Sequence, residues 1–224
     1  MTRVHVVVEG QTEESFVKNV LAAELWPHEV NLNPILLGVP GHKGGRPNYA
    51  CLKKDILLHL EQDRTSCCSM MLDFYGLGGG FPDTPIPGHL SGTAKATHIE
   101  RAITADICGS IPEFRPAIRF VAYIQLHEYE ALLFSDPAAL AGAIGQPRLT
   151  GPLQVIRDGS ETPEDINDSR ETAPSKRILK AFPSWRKVIN GTQAAQAVGI
   201  GAMKEQCPHF RQWIEKLKSL APQS

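Results

Sequence analysis

The sequence predicts an α/β fold, a parallel sheet of about four strands flanked by helices. Three observations carry this. Residues 3–8 (Arg-Val-His-Val-Val-Val) and 67–72 (Cys-Cys-Ser-Met-Met-Leu) are short, nearly continuous apolar runs, the pattern of strands covered on both faces. Between such runs lie segments whose apolar residues recur three and four apart, the spacing of an amphipathic helix. Strand and helix patterns alternate over residues 1–142, as βαβ units do, and function is then expected at the carboxyl ends of the strands. With 224 residues, 42% of them hydrophobic, the chain can bury roughly 70% of its unfolded surface. One sizeable core therefore needs neither disulfides nor a structural metal.

The elements follow in order. After the first strand, Phe16, Val17, Val20, Leu21 and Leu25 form one helical stripe from Thr12 to Trp26, with Thr12 as expected N-cap and Glu13 and Glu14 in the first turn, where the helix dipole favours carboxylates. A second extended run, Pro34 to Val39, leads into the loop Pro40-Gly-His-Lys-Gly-Gly-Arg-Pro47. A helix is expected from Tyr49 to Gln62 on Leu52, Ile56, Leu57 and Leu60. The third strand ends at Asp73, and Gly76-Leu-Gly-Gly-Gly-Phe-Pro82 must be loop. A helix from Thr93 to Cys108, a strand from Ile118 to Leu126 and a helix from Glu128 to Gly142 complete the unit.

Beyond Gly142 the character changes, and residues 143–224 are expected to be a loop or lid and a helical C-terminal extension packed on domain 1–142. Residues 157–171 hold six acids (Asp158, Glu161, Glu164, Asp165, Asp168, Glu171), the composition of a surface loop. Residues 175–187 hold Lys176, Arg177, Lys180, Arg186 and Lys187 with no acid, and helical patterns follow over 192–206 and 208–220.

Composition limits the function. With 23 basic and 24 acidic residues the net charge is −1, which argues against coating nucleic acid or an anionic membrane through an overall field; any polyanion site must be local. The five cysteines (Cys51, Cys67, Cys68, Cys108, Cys207) are odd in number and form no C-x-x-C pair, so neither a disulfide framework nor a zinc ribbon is expected and the reducing cytoplasm is the expected compartment. Cys207 and His209 lack a second ligand pair and read as packing residues. No apolar run reaches the length of a transmembrane helix, and the N-terminus enters a strand directly, so no membrane segment or signal peptide is expected.

The informative feature is where the acids fall. Glu9 follows the first strand, Asp73 ends the third, Glu128 and Glu130 lie just past the fourth, and Glu13 sits one helical turn after Glu9. Strand ends of a parallel sheet open on one edge, so these carboxylates can converge. Converging carboxylates repel unless a proton or cation compensates, and a hard divalent cation, Mg²⁺ or Mn²⁺, is the natural partner for oxygen ligands. The other acids also have a plainer use: Glu13 and Glu14 as dipole partners, Asp73 as a turn former, Glu128 and Glu130 as first-turn helix residues; Glu9, between Val8 and Gly10 at the end of a buried strand, is poorly placed for solvation. His127 reads equally as a ligand or a packing residue. Lys43 and Arg46, in a Gly-rich loop after the second strand, suit a phosphate on the same edge, or form a simple turn.

These residues carry a resemblance. Val8-Glu-Gly-Gln-Thr-Glu-Glu14 and Asp73-Phe-Tyr-Gly76 resemble the TOPRIM domain of topoisomerases, primases and OLD-type nucleases. Gln125-Leu-His-Glu-Tyr-Glu-Ala-Leu-Leu-Phe134, Ala173-Pro-Ser-Lys-Arg177 and Cys207-Pro-His-Phe-Arg-Gln-Trp213 look like an uncharacterised bacterial family of the TOPRIM clan known only as a domain of unknown function. The resemblance implies a TOPRIM-like (Rossmann-like) sheet in which Glu9, Glu13 and Asp73, with Glu128 or Glu130, bind a catalytic metal. Tyr75 stands where the second acid of the family's Asp-x-Asp would be. The same resemblance implies Lys176 as the assisting lysine; Arg177 and Lys180, in the same basic run, are expected to bind phosphate or nucleic acid. The implied activity is Mg²⁺- or Mn²⁺-dependent cleavage of DNA or RNA, in phage defence with a separate ATPase partner, because the chain has no G-x-x-x-x-G-K-[ST] segment. Two alternatives stand beside it: a non-catalytic TOPRIM-like adaptor, and a metal-dependent phosphohydrolase acting on a small nucleotide. A continuous basic groove through Lys43, Arg46, Lys176 and Lys180 would favour a polymer, and a closed pocket a nucleotide.

Overall fold

The computed structural model describes residues 1–39, 42–43, 48–167 and 172–221. Its sheet is parallel throughout. β1 (Thr2–Val8) lies between β2 (Val30–Leu36) and β5 (Cys67–Asp73), and β6 (Phe120–Val121) and β7 (Ile124–Gln125) both pair with the far side of β5. A small antiparallel hairpin of β3 (Gly38–Val39) and β4 (His42–Lys43) follows β2. Every residue of β5 is buried, as expected of a strand at the middle of a sheet covered on both faces.

Side-chain alternation along the strands divides the core in two. On one face Val4, Val6 and Val8 of β1 and Met71 of β5 pack against Phe16 of α1 (Gln11–Phe16) and Leu21 of the π-helical turn Val17–Leu21. Ala194 of α8 (Lys187–Gln206) and Phe210 and Trp213 of α9 (Pro208–Lys218) complete this face. On the other, Val7, Met70 and Leu72 meet Leu52 and Ile56 of α3 (Tyr49–Gln62) and Ile99 and Ile103 of α4 (Gly92–Ser110). Each fully buried Val, Leu, Ile or Phe contributes about 1.5–3 kcal/mol. The C-terminal helices thus supply much of one covering layer. Between α1 and α3 lies α2 (Ala22–Leu25), and between α4 and α8 lie α5 (Pro137–Ala143), α6 (Thr150–Asp158) and α7 (Pro174–Ala181).

Four local expectations are corrected. The second strand starts at Val30 rather than Pro34, because buried Val30 and Leu32 alternate with exposed Asn31 and Asn33; Pro34 is tolerated because β2 is an edge strand. The fourth strand is split in two, and the Ile124 N–H bonds the Glu100 carboxylate at 2.8 Å. Thr12 does not cap its helix: Gly10 is the N-cap and Thr12 lies inside, buried. The expected helix 128–142 is a 3₁₀ helix, Tyr129–Ser135, followed by α5. The break comes at Asp136, whose carboxylate caps the Ala138 and Ala139 N–H groups at 3.0 and 2.9 Å, with Pro137 at the first helical position.

Candidate functional site

The carboxyl ends of β1, β5 and β7 bring the acids to one edge of the sheet. Val8 and Met71 are register partners, as are Asp73 and Gln125, so Glu9, Asp73 and the segment after Gln125 emerge side by side. A cavity of about 280 Å³ opens there, lined by Glu9, Asp73, Glu128, Tyr75, Lys176 and Lys187, with Gly76 and Ala173. Three of the five expected metal ligands therefore share one cavity with the expected lysine. Glu13 and Glu130 lie behind it, 6% and 0% exposed, and act on it through their charge.

Each side chain is held by its backbone surroundings. Asp73 Oδ1 accepts the Tyr129 N–H at 2.9 Å, and Glu128 Oε2 accepts the Ser175 N–H at 3.0 Å in the first turn of α7, which fixes the helix that carries Lys176. Glu9 is accommodated by Gly76: a Cβ there would lie 2.8 Å from the Glu9 carboxyl carbon. Glu9 Oε2 is buried and accepts no hydrogen bond from the described residues.

The electrostatics follow from crowding. Burial, then the charge of Glu13, raises the Glu9 carboxyl from its ordinary value to about 7. Asp73 is pushed well up by burial and by the charges of Glu13 and Glu9, and burial also raises Glu13. Glu130 is raised by burial to about 7 although the Lys187 charge opposes the rise. Lys187 Nζ sits 3.1 Å from both Glu130 oxygens. Burial alone would lower this ammonium, but Glu130, Asp73 and Glu128 outweigh it and hold Lys187 protonated more firmly than an ordinary lysine.

Lys187 is the residue that the sequence reading passed over. Its one signal is that the run 175–187 holds five cations and no acid. The other basic residues divide. Lys176, Arg177 and Lys180 line a neighbouring cleft of about 470 Å³ with Ile156, Thr172 and Ala181, so Lys176 is a wall common to both spaces. Arg46 and the Lys43 side chain lie outside the described residues, as do Asp168 and Glu171. His127 does not line the cavity; its ring lies 5.3 Å from that of Tyr75.

The acidic stretch is anchored rather than free where it is described. Glu164 is 2% exposed and accepts the His209 and Phe210 N–H groups at 3.0 and 2.9 Å, capping α9. His209 Nε2 in turn meets Glu100 Oε1 at 2.9 Å. Cys207 and His209 are buried in packing, and Cys207, like the other cysteines, is a free thiol.

The donor set fits a hard divalent cation in type: carboxylate oxygens, one of them buried without a partner, in a cavity with room for an ion and its waters. Among the described residues no three His, Cys, Asp or Glu side chains are already gathered around one ion position, and Lys187 supplies the compensating charge.

Fold and site together define an α/β protein with a recessed carboxylate and lysine cavity at the carboxyl edge of a parallel sheet. The chain belongs to the family described as a domain of unknown function, DUF4276, which matches residues 8–218. Among solved structures it is similar to the C-terminal region of the Xanthomonas campestris pv. campestris OLD protein, with 13% sequence identity, 97% of this chain and 95% of that chain covered, and a TM-score of 0.44. No curated protein matched the chain. No helix among the described residues is long and apolar enough to cross a membrane.

Proposed function

We propose that this chain is a divalent-metal-dependent nuclease of TOPRIM-like design that hydrolyses phosphodiester bonds of DNA or RNA. The observation that carries the reading is the convergence of Glu9, Asp73 and Glu128 with Lys176 and Lys187 on one cavity. Phosphodiester hydrolysis needs stabilisation of the charge that develops on the phosphoryl oxygens. Glu9 and Asp73, with Glu128, would hold a Mg²⁺ or Mn²⁺ ion, which when bound supplies Lewis-acid polarisation of the phosphate. Lys187 and Lys176 face the same space and would pair with non-bridging oxygens. Glu130, with Asp73 and Glu128, keeps Lys187 cationic, and buried Glu13 adds negative charge beside Glu9 and Asp73 that would draw a cation in. Tyr75 in place of a second aspartate leaves the site one acid short of the Asp-x-Asp pattern and fits chemistry at a single metal.

One observation favours a second reading, a non-catalytic adaptor: the Lys187–Glu130 pair already compensates one acid without metal. The two readings separate in one experiment. Plasmid DNA and single-stranded RNA incubated with Mn²⁺ should be cut by the native protein and at least about 100-fold more slowly by Asp73→Asn. Equal cutting by both proteins would remove these residues from the reaction, and cutting by neither favours the adaptor.

A further inference from the structure

Tyr75 lines the acidic cavity and is held in place from three sides. Its backbone N–H bonds the His127 carbonyl at 3.2 Å. The Asn167 amide donates to the Tyr75 hydroxyl and also meets His127 Nδ1 at 3.2 Å. The His127 ring lies 5.3 Å from the tyrosine ring at a 39° tilt. His127 adopts a left-handed backbone (φ 62°), uncommon outside glycine. A half-buried aromatic ring fixed in this way loses little freedom when another flat group stacks on it.

Lys176, on the same cavity, is shared with the 470 Å³ cleft that also holds Lys180 and Arg177. Lys176 and Lys180 are one helical turn apart on α7 and both exposed, so they lie on one helix face. One cavity thus holds an aromatic residue and a recessed acidic centre with Lys187, and through Lys176 it adjoins a cationic cleft.

From this juxtaposition we propose that the substrate is a single-stranded nucleic acid, with an unpaired base stacked on Tyr75, a phosphodiester at Glu9 and Asp73, and adjoining phosphates at Lys176 and Lys180. The inference rests on the nuclease reading for its central step and adds the strandedness. Stacking platforms combined with a cationic track are how proteins hold single strands. A base pair inside a duplex has no free face to offer Tyr75, and Asp73, 8% exposed, lies recessed from the flank of a rigid helix. A mononucleotide would fill the cavity and leave the cleft beyond Lys176 unused.

Fluorescence anisotropy in Ca²⁺, with a labelled single-stranded oligonucleotide and its blunt duplex, tests this. The single strand should bind at least about tenfold more tightly. Tyr75→Ala should weaken single-strand binding about 5- to 150-fold, the range of one base stack, while Tyr75→Phe keeps most of it. Lys180→Ala should weaken binding and flatten its salt dependence. Melting curves check that the variants fold. Equal affinity for the duplex, or unchanged single-strand binding by a folded Tyr75→Ala, overturns the proposal. Cleavage in Mn²⁺ is read on the same oligonucleotides. Equal cutting of the duplex leaves the nuclease reading standing and refutes single-strand selection. Tyr75-dependent binding of the single strand with no cutting of either supports the strand path and refutes the nuclease.

Discussion

Lys187 holds its ammonium 3.1 Å from each carboxylate oxygen of Glu130, a side chain with no solvent exposure. Four of the site's carboxyls, Glu9, Glu13, Asp73 and Glu130, are raised from their ordinary values, and the charge of Lys187 opposes the rise at each. Removing it leaves a buried carboxylate that must either stay charged at a cost or take up a proton. Lys187→Met should therefore destabilise the metal-free protein by about 1–3 kcal/mol at about pH 8. The loss should shrink toward about pH 5, where Glu130 takes the proton. Urea denaturation at the two pH values reads this, and Lys187→Met combined with Glu130→Gln should recover most of the loss.

Glu9 gives the opposite sign on substitution. Its carboxyl titrates near 7 in the fold against an ordinary 4.5, so the fold prefers the protonated form. Stability from this group is undiminished below about 4.5 and falls as pH rises through 7. In the absence of metal Glu9→Gln should raise stability at about pH 8 by about 1–3 kcal/mol, with no gain at about pH 4. Melting temperature against pH, in a chelator, is the measurement; a gain independent of pH would assign it to packing instead.

Gly76→Ala tests the space that Glu9 occupies. The new methyl would meet the Glu9 carboxyl and push it aside, at no left-handed backbone cost. Metal-free stability should change by less than about 1 kcal/mol, while the Mn²⁺-dependent rise in melting temperature and any cleavage activity should fall together. Retention of both would mean that the Glu9 carboxyl needs no fixed position.

Glu164 tests the anchoring of the acidic stretch. Glu164→Ala strands the His209 and Phe210 N–H groups at the start of α9 and should cost about 1–3 kcal/mol in denaturant unfolding. Glu164→Gln keeps an acceptor oxygen and should cost less. Equal costs would assign the effect to lost charge rather than to the cap.

Much of this was legible in the sequence, and the reasons are physical. β5 is buried throughout and β1 over its last three residues, so these stretches are nearly all apolar, and an acid at the end of such a run, Glu9 or Asp73, stands out against it. The helices α3, α4 and α9 bury one stripe each and repeat at helical spacing. Lys187 and Glu164 were not legible, because each lies in a run of like charge that resembles a solvated surface. Their roles are decided by distant partners: buried Glu130 for half-exposed Lys187, and the α9 N–H groups for buried Glu164. Tyr75 was legible only as a departure from an Asp-x-Asp pattern; its hold by His127 and Asn167 is a tertiary fact. The carboxylate that takes the Ile124 N–H beside the split of the fourth strand likewise comes from afar, from Glu100 about two dozen residues away.

The central claim is that Glu9, Asp73 and Glu128 take up a divalent cation. Calorimetric titration of Mn²⁺ into the native protein near neutral pH tests it most directly. Saturable binding that is lost in Asp73→Asn and in Glu9→Gln, with a matching rise in melting temperature of the native protein alone, is the predicted result. No binding at millimolar Mn²⁺, or binding unchanged in both variants, would contradict it.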